Sequence, residues 1–385
     1  MTLRVFESFA GVGTQRMALE RANIPHEVVG ISEIDKFAIK SYEAIHKEIH
    51  NYGDIAKIDP KELPNFDLYT YSFPCTDLSL SGKMTGMDKG SGTSSSLLWE
   101  SEKIIREKRP KYLLMENVKN LVGNKFKKGF DDWLAILEDL GYTNYWKVLN
   151  ATGFNIPQNR ERVFCVSILG DHEPYEFPEE SQLTKRLTDI IEPSVEEKYY
   201  LDEKRATRVL KDMIENGKLN FSQDLHDPSL QVNATQVVRL GGIIDKNGKK
   251  HQAGSIYDKN GCSPTLDTAQ GGWRQPSIIV DDTQGFDGIR YYNTYSPTLR
   301  AQRSGLKTLE YCEDKQHLDE SNLEESPAYI RIRKLTPKEY WRLMGISDEY
   351  FNKAQEVNSN TQLYKQAGNA IVVNVLEGIF TNLFK

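Results

Sequence analysis

Cysteine is scarce in these 385 residues: there are four, Cys75, Cys165, Cys262 and Cys312, with no C-x-x-C spacing and no histidine pairing beside them. So few and so scattered, they support neither a disulfide framework nor a zinc site, and no metal is expected. An excess of positive charge is missing too, the formal net charge being −6. Taken alone, that argues against a nucleic-acid partner, although overall charge says less than where the cations cluster. Local basic stretches exist in "REKRPK" (106–111), "KFKKG" (125–129), "KNGKKH" (246–251) and "RIRK" (331–334). Taken singly, each reads as a solvated face. No apolar run approaches the roughly 20 residues of a membrane helix. The opening "MTLRVFESFAG" lacks the basic-then-apolar layout of a secretion signal. A cytoplasmic protein with no membrane partner is expected.

What is present is a globular composition, 38% hydrophobic and 27% charged, in a chain long enough for one large domain and a smaller one. The first 170 residues alternate β-rich runs with amphipathic stretches. Strands are predicted at 3–9, 27–31, 66–73, 111–117 and 162–169, and helices at 14–22, 35–46, 96–108 and 130–141, the last stopped by Gly141. Such alternation predicts a doubly wound α/β fold around a parallel sheet covered on both faces. Beyond about residue 185 the periodicity weakens, and Gly, Asn, Asp and Ser increase. A partial repeat appears there, "SPTLDTAQGG" (263–272) and "SPTLRAQRSG" (296–305), and helical pattern returns in 335–345 and 369–384. The division expected is 1–185 as the α/β domain and 186–334 as a loop- and β-rich module. Residues 335–385 then form a hinge and a C-terminal helix returning to the first domain.

"FAGVGT" (9–14) joins the first strand to the first helix, where glycines permit a tight turn and close approach of a ligand. Position 16 is Arg, so the dinucleotide fingerprint is incomplete and a pyrophosphate cradle is disfavoured. Glu33 ends the second strand, where a carboxylate can accept hydrogen bonds from ribose hydroxyls. A ribose site without a pyrophosphate site points to an adenosyl compound and away from a nicotinamide oxidoreductase. Asp54 offers a contact to an adenine edge, a turn-forming role being its default.

Cys165 fits a buried strand, and Cys262 and Cys312 fall in loops. Cys75 differs: "FDLYTYSFPCTDLSLSG" (66–82) places it just past the carboxyl end of a buried strand, where crevices form in such sheets. A thiolate is a strong nucleophile even as a few per cent of the population. Pro74 fixes its backbone, and Ser79, Ser81 and Gly82 suit a closing loop. "LLMENV" ends its apolar run in Glu116 and Asn117, and "IPQNRERVF" brings Arg160 and Arg162, two apart and so on one face of a strand. A thiol, a carboxyl and two guanidiniums on one rim form a candidate site.

In these blocks the chain resembles the DNA cytosine-5 methyltransferases. The matching stretches, in order, are "FAGVGTQRMAL", "SEID", "GDI", "SFPCTDLSLSG", "LLMENV", "QNRERVF", "RKLTPKEYWRLMG" and "QAGNAIVVNVLEG"; only 186–330 lies outside them. The resemblance implies a Rossmann-like methyltransferase sheet with a target-recognition domain, and a sequence-specific enzyme of a prokaryotic or phage restriction-modification system. It implies that Cys75 attacks C6 of a cytosine flipped out of double-stranded DNA, and that S-adenosylmethionine methylates C5, leaving S-adenosylhomocysteine. Glu116 then holds the N3/N4 edge, Arg162 contacts the flipped base and Arg160 orients the Cys75 loop. For the cofactor it implies Phe9, Gly11, Gly13, Glu33, Asp54, Pro74, Leu97 and Asn369. For DNA it implies Ser79 and Ser81, with a Thr-Leu pair in the variable region: either Thr265/Leu266, or Thr298/Leu299 followed by Arg300 and Arg303. The first pair reads more simply as a structural turn. Thr76, Ile34 and Ala370 depart from the usual Gln, aromatic and Ser without removing a catalytic group. The expected state is a monomer, with a cognate restriction endonuclease in the same system but no direct contact to it. A tRNA cytosine-5 methyltransferase on the same scaffold and a non-catalytic DNA-binding relative are the alternatives.

Overall fold

The computed structural model describes residues 2–74, 78, 94–215, 235–244, 250–269, 274–281 and 330–385. Cys75, Ser79, Ser81, Thr298, Leu299, Arg300 and Arg303 lie outside the described residues, as do Thr76 and Cys312.

Strands and helices alternate as β1 (Leu3–Ser8), α1 (Thr14–Arg21), β2 (His26–Ser32), α2 (Lys36–His46), β3 (Leu68–Tyr71), α3 (Leu98–Lys108) and β4 (Tyr112–Val118). Then come α4 (Lys127–Asp139), β5 (Tyr142–Asn150), β6 (Gln158–Asn159) and β7 (Glu161–Leu169). Local chemistry sets several boundaries. Asp35 caps α2 by accepting from the amides of Phe37 and Ala38, and Gly141 follows α4 at φ 84°, the left-handed turn that ends helices.

The large sheet has the order β2-β1-β3-β4-β7-β5. β2, β1, β3 and β4 are parallel, but β7 is antiparallel to both β4 and β5. This corrects the expectation of a parallel sheet throughout. The cause is β5, which the periodicity does not reveal. The chain crosses over through α4 into β5, then doubles back through residues 151–160 and inserts β7 between β4 and β5. The reversal matters for the site, because the start of β7 now meets the carboxyl ends of the parallel strands. Side chains alternate across the sheet. Val5, Leu68, Leu114 and Val166 face one core; Phe6, Tyr69, Leu113, Met115 and Cys165 face the other.

The remaining elements are α5 (Glu203–Glu215), β8 (Arg239–Ile244), β9 (Lys250–Tyr257), β10 (Ser263–Pro264), β11 (Ser277–Asp281) and β12 (Ile330–Lys334). They are followed by α6 (Pro337–Arg342), α7 (Asp348–Val357), α8 (Asn360–Asn369) and α9 (Val373–Phe384). A second sheet, β12-β11-β9-β8, packs against α5 through Val209, Leu210, Met213, Ile256, Ile279 and Ile332. α5 is an addition to the expected elements, although Ala206, Val209, Leu210 and Met213 recur at helical spacing. Met17, Ala18 and Leu19 of α1 share the first large core with Val375, Leu376, Ile379 and Phe380 of α9, and Arg21 pairs with Glu377 at 2.6 Å. The C-terminal helix thus packs against α1.

Residues Asn360–Phe384 are long and apolar enough to cross a membrane by length and composition only. They form two helices, interrupted at Ala370 (ψ 158°), and Leu363, Ala367, Val375, Ile379 and Phe380 are buried in the protein core. Among the described residues, several cations of the basic stretches pair with acids within the fold. Lys127 pairs with Asp131, Lys128 with Asp132, Arg106 with Glu102 and Arg331 with Glu197, while Arg333 is buried against Glu339.

Glu7 on β1 is fully buried, accepts from the Tyr42 hydroxyl at 2.8 Å and leaves Oε1 without a hydrogen-bond partner. Burial pushes its carboxyl up to about 7; the Tyr42 hydrogen bond and the Arg16 charge pull the other way. The folded chain therefore holds this proton more tightly than the unfolded chain. The resulting stability is fully present below the unfolded carboxylate pKa near 4.5 and is lost as pH rises through about 7. A gap of that size corresponds to at most about 3 kcal/mol. Urea unfolding of the parent and Glu7→Gln across pH 5 to 8 is expected to show the variant gaining relative stability as pH rises. Using the difference cancels the neighbouring titrations of Glu20 and His46. Parallel curves would contradict the assignment.

Candidate active site

Three loops meet where β1, β2 and the segment beyond α2 end. The Phe9 amide donates to the Ser32 carbonyl at 2.8 Å, and the Gly11 amide donates to Glu33 Oε2 at 2.9 Å. Glu33 Oε1 accepts from the amides of Ile34 and Asp35. Asn51 stitches the second loop to the third: its Nδ2 donates to the Glu33 carbonyl, and its Oδ1 accepts from the amides of Glu33 and Gly53. Ser32 Oγ donates to the Gly53 carbonyl at 2.7 Å. Sequence reasoning names neither Asn51 nor Ser32; an Asn before Tyr-Gly is the turn signal that points to the first.

The rim carries groups that could hold an adenosyl ligand. Gly11 adopts φ 57°, and a Cβ there would face open space, so nothing covers the backbone on that side. Beside it stand the half-buried Glu33 carboxylate and Ile34, 72% exposed, an apolar side chain next to an acceptor at the rim. Phe9 and Leu97 are half-buried against the second core. Asn369 is exposed at the end of α8, which is tied to this rim by Lys365 Nζ on Asp35 Oδ2 at 2.6 Å.

Packing and turn geometry account for the identity of two residues that the resemblance places in the cofactor pocket. A Cβ on Gly13 would lie 2.5 Å from His46 Nε2 and 2.7 Å from Tyr42 Cε2, so packing against α2 requires glycine at this position. Asp54 accepts from the Ala56 amide and caps a short 3-10 turn, the default role for such a residue.

Around Cys75 the described backbone is gripped on both sides. Asn117 Nδ2 donates to the Phe73 carbonyl at 3.0 Å, and Ser95 Oγ donates to the Pro74 carbonyl at 2.8 Å. Asn120 Nδ2 donates to the Leu78 carbonyl, and the Leu78 side chain is fully buried in the second core. Ser95 and Asn120 do not stand out in the sequence; their partners are carbonyls, which no residue pattern advertises.

Glu116, on β4, is 8% exposed and lies opposite Phe164; Arg162 pairs with Val118, which makes it the diagonal neighbour of Glu116. Arg162 Nε lies 3.3 Å from Glu116 Oε1, and Arg162 Nη1 donates to the Glu161 carbonyl. Burial raises the Glu116 carboxyl above the ordinary carboxylate range, opposed by the charges of Arg162 and Arg160 and by a Ser72 hydrogen bond. A carboxyl so placed holds its proton more tightly than an exposed one.

Arg160 departs from expectation. It precedes β7 instead of sharing a strand face with Arg162, because the chain is held there by Arg160 amide to Asn150 Oδ1 and Ala151 amide to the Arg160 carbonyl. Its guanidinium donates to the carbonyls of Leu266, Gly368 and Ala370. Thr265 and Leu266 also join this framework: Thr265 Oγ1 donates to the Asn159 carbonyl at 2.6 Å, and Leu266 is 2% exposed. Cys165 is buried, as its apolar strand predicts, with its thiol pushed up to about 12 by desolvation. Cys262 is also buried and donates to the Thr235 carbonyl, and burial pushes its thiol up to about 11.

A parallel-rich sheet with an opened glycine turn, a carboxylate ending the second strand and a buried acid at the same edge defines a Rossmann-like methyltransferase fold. The chain belongs to the C-5 cytosine-specific DNA methylase family, whose model matches residues 3–385. It is 37% identical to the type II methyltransferase M2.ScrFI of Lactococcus lactis subsp. cremoris, covering 100% of this chain and 99% of the relative. It is 32% identical to the orphan methyltransferase M.SPBetaI of Bacillus phage SPbeta, covering 99% and 97%. Among solved structures it is similar in fold to the S. pombe Dnmt2 methyltransferase, with TM-score 0.60 at 17% identity over 98% of this chain and 97% of that one. The protein is a DNA cytosine-5 methyltransferase, and S-adenosylmethionine is the methyl donor its family implies.

Proposed function

We propose that the chain methylates cytosine through a transient bond between Cys75 and C6 of a base flipped from duplex DNA. The observation that carries this reading is the buried Glu116–Arg162 pair, at the sheet edge where Asn117 and Ser95 hold the two carbonyls preceding Cys75. C5 of cytosine is too poor a nucleophile to take a methyl group unaided. Addition of the Cys75 thiolate to C6 breaks the C5–C6 double bond and pushes its electron pair towards C5 and the N3 edge. The raised Glu116 carboxyl delivers a proton to N3 as that charge develops, leaving C5 enamine-like. Arg162 orients Glu116 and contacts the base. S-adenosylmethionine, when bound, supplies an electrophilic methyl group. Loss of the C5 proton to a base, with return of the N3 proton to Glu116 as the thiolate departs, then restores the double bond, the free thiolate and the protonated carboxyl.

Phe9, Gly11, Glu33, Pro74, Leu97 and Asn369 hold the cofactor in this reading, Gly13 and Asp54 shaping the turns beneath it. Ser79 and Ser81 face the DNA as the loop closes over the flipped base, which leaves the stack at a cost of a few kcal/mol. The small sheet with its own core supports 186–334 as the target-recognition domain, 1–185 as the catalytic domain and 335–385 as the returning segment. The anchoring of Thr265 and Leu266 to β6 supports Thr298 and Leu299, with Arg300 and Arg303, as the pair that reads base edges. The enzyme acts as a cytoplasmic monomer, without direct contact to any cognate endonuclease.

Glu116→Gln is expected to slow single-turnover methylation by about a hundredfold or more, since a general acid contributes on that order. Its affinity for S-adenosylmethionine, by isothermal titration, is expected to stay within about threefold of the parent. Lost cofactor binding with unchanged chemistry would move Glu116 out of the catalytic role.

A further inference from the structure

We propose that Arg160 is a positioning residue that couples cofactor binding to target engagement, acting through the backbone of two segments that converge on its guanidinium. Its side chain is 4% exposed. Nη1 donates to the Leu266 carbonyl at 3.3 Å, while Nη2 donates to the carbonyls of Gly368 and Ala370 at 3.1 and 2.9 Å. The two latter carbonyls bracket Asn369, so a single guanidinium sets that residue from both sides.

On its other side, the loop around Leu266 is built onto the same stretch of chain. β10 pairs with β6, the Leu266 amide donates to Gln158 Oε1, and Thr265 Oγ1 donates to the Asn159 carbonyl. Gln158 Nε2 in turn donates to the Leu343 carbonyl at 2.7 Å. The two segments also touch directly, since a Cβ on Gly368 would lie 2.4 Å from the Asp267 carbonyl oxygen. From Asn369 the path continues along α8 to Lys365, which pairs with Asp35, whose amide donates to Glu33. Loop 265–268, part of the proposed recognition domain, is therefore joined to the Asn369 segment through three carbonyls held by one planar fork. A lysine ammonium at this position cannot reproduce that fork. Arg160 also lowers the Glu116 carboxyl through its charge, so the same residue reaches the acid.

The inference rests on Asn369 belonging to the cofactor pocket, which is tested separately: Asn369→Ala is expected to weaken binding of S-adenosylhomocysteine alone. The coupling is read as the ratio of the S-adenosylhomocysteine dissociation constants without and with duplex DNA, using the site mapped by bisulfite sequencing from an expressing host. For the parent we expect a ratio of about five or more, the lower end of ordinary allosteric coupling. Arg160→Lys is expected to bring the ratio to within about twofold of unity while its affinity for S-adenosylhomocysteine alone changes less than about threefold. A purely structural role would weaken both ligands and leave the ratio intact. Thr265→Val, which removes one hydroxyl from the same joint, is expected to lower the ratio in part. If Arg160→Lys does not fold, this variant carries the test. A parent ratio of unity, or parental ratios in the folded variants, overturns the proposal; a failure of Asn369→Ala alone overturns the pocket assignment instead.

Discussion

Cys75→Ser is expected to bind S-adenosylmethionine and DNA yet to turn over at least about a thousandfold more slowly than the parent. The substitution changes one atom and leaves a hydroxyl, so the carbonyl grips on Phe73, Pro74 and Leu78 persist. What disappears is the thiolate, which at neutral pH is a few per cent of a free cysteine and far more nucleophilic than an alcohol. Filter binding with duplex DNA and tritiated methyl transfer separate the two effects. Activity within tenfold of the parent would remove Cys75 from the mechanism.

The second large effect falls on stability. Arg333 and Glu339 are 2% and 0% exposed and form a two-pronged pair, Nη1 to Oε2 at 2.9 Å and Nη2 to Oε1 at 2.7 Å. The Glu339 carboxylate also accepts from the amides of Thr336 and Glu192, so each oxygen has two partners. This joint ties β12 to α6, where the chain leaves the small sheet and returns to the large one. Glu339→Ala leaves a buried guanidinium uncompensated and is expected to cost about 3–5 kcal/mol in urea unfolding. Replacing both residues, Arg333→Met with Glu339→Leu, is expected to cost less than Glu339→Ala alone, because well-packed apolar side chains substitute for buried pairs with little loss. A double variant worse than the single one would show that the pair is not the source of the effect.

Much of this molecule is legible before folding. Short apolar runs and period-3.6 patterns locate β1 to β4 and the helices between them, because strands buried on both faces are apolar at successive positions. The residues at the carboxyl ends, Glu33, Pro74 and Glu116, follow from that topology alone. Strand direction does not: nothing in "RVFCVSIL" states that β7 runs backwards, and only its insertion beside β5 brings Arg162 to Glu116. Arg160 and Arg162 look equivalent at a spacing of two, yet the break before β7 sends one guanidinium to carbonyls and the other to a carboxylate. Carbonyl acceptors leave no trace in sequence, which is why Ser95, Asn120 and the Arg160 joint are visible only in the folded chain. The Thr336–Glu339 spacing, by contrast, is a visible capping-box signal, and the structure realises it with both reciprocal bonds.

The most direct measurement uses a duplex with 5-fluorocytosine at the mapped target position, incubated with the protein and S-adenosylmethionine. Fluorine on C5 cannot depart as a proton does, so thiolate release is blocked after methyl transfer. The account predicts a conjugate that survives denaturing electrophoresis and whose DNA-bearing peptide contains Cys75. Absence of any conjugate from protein that methylates the unmodified duplex, or attachment at a different residue, would contradict it.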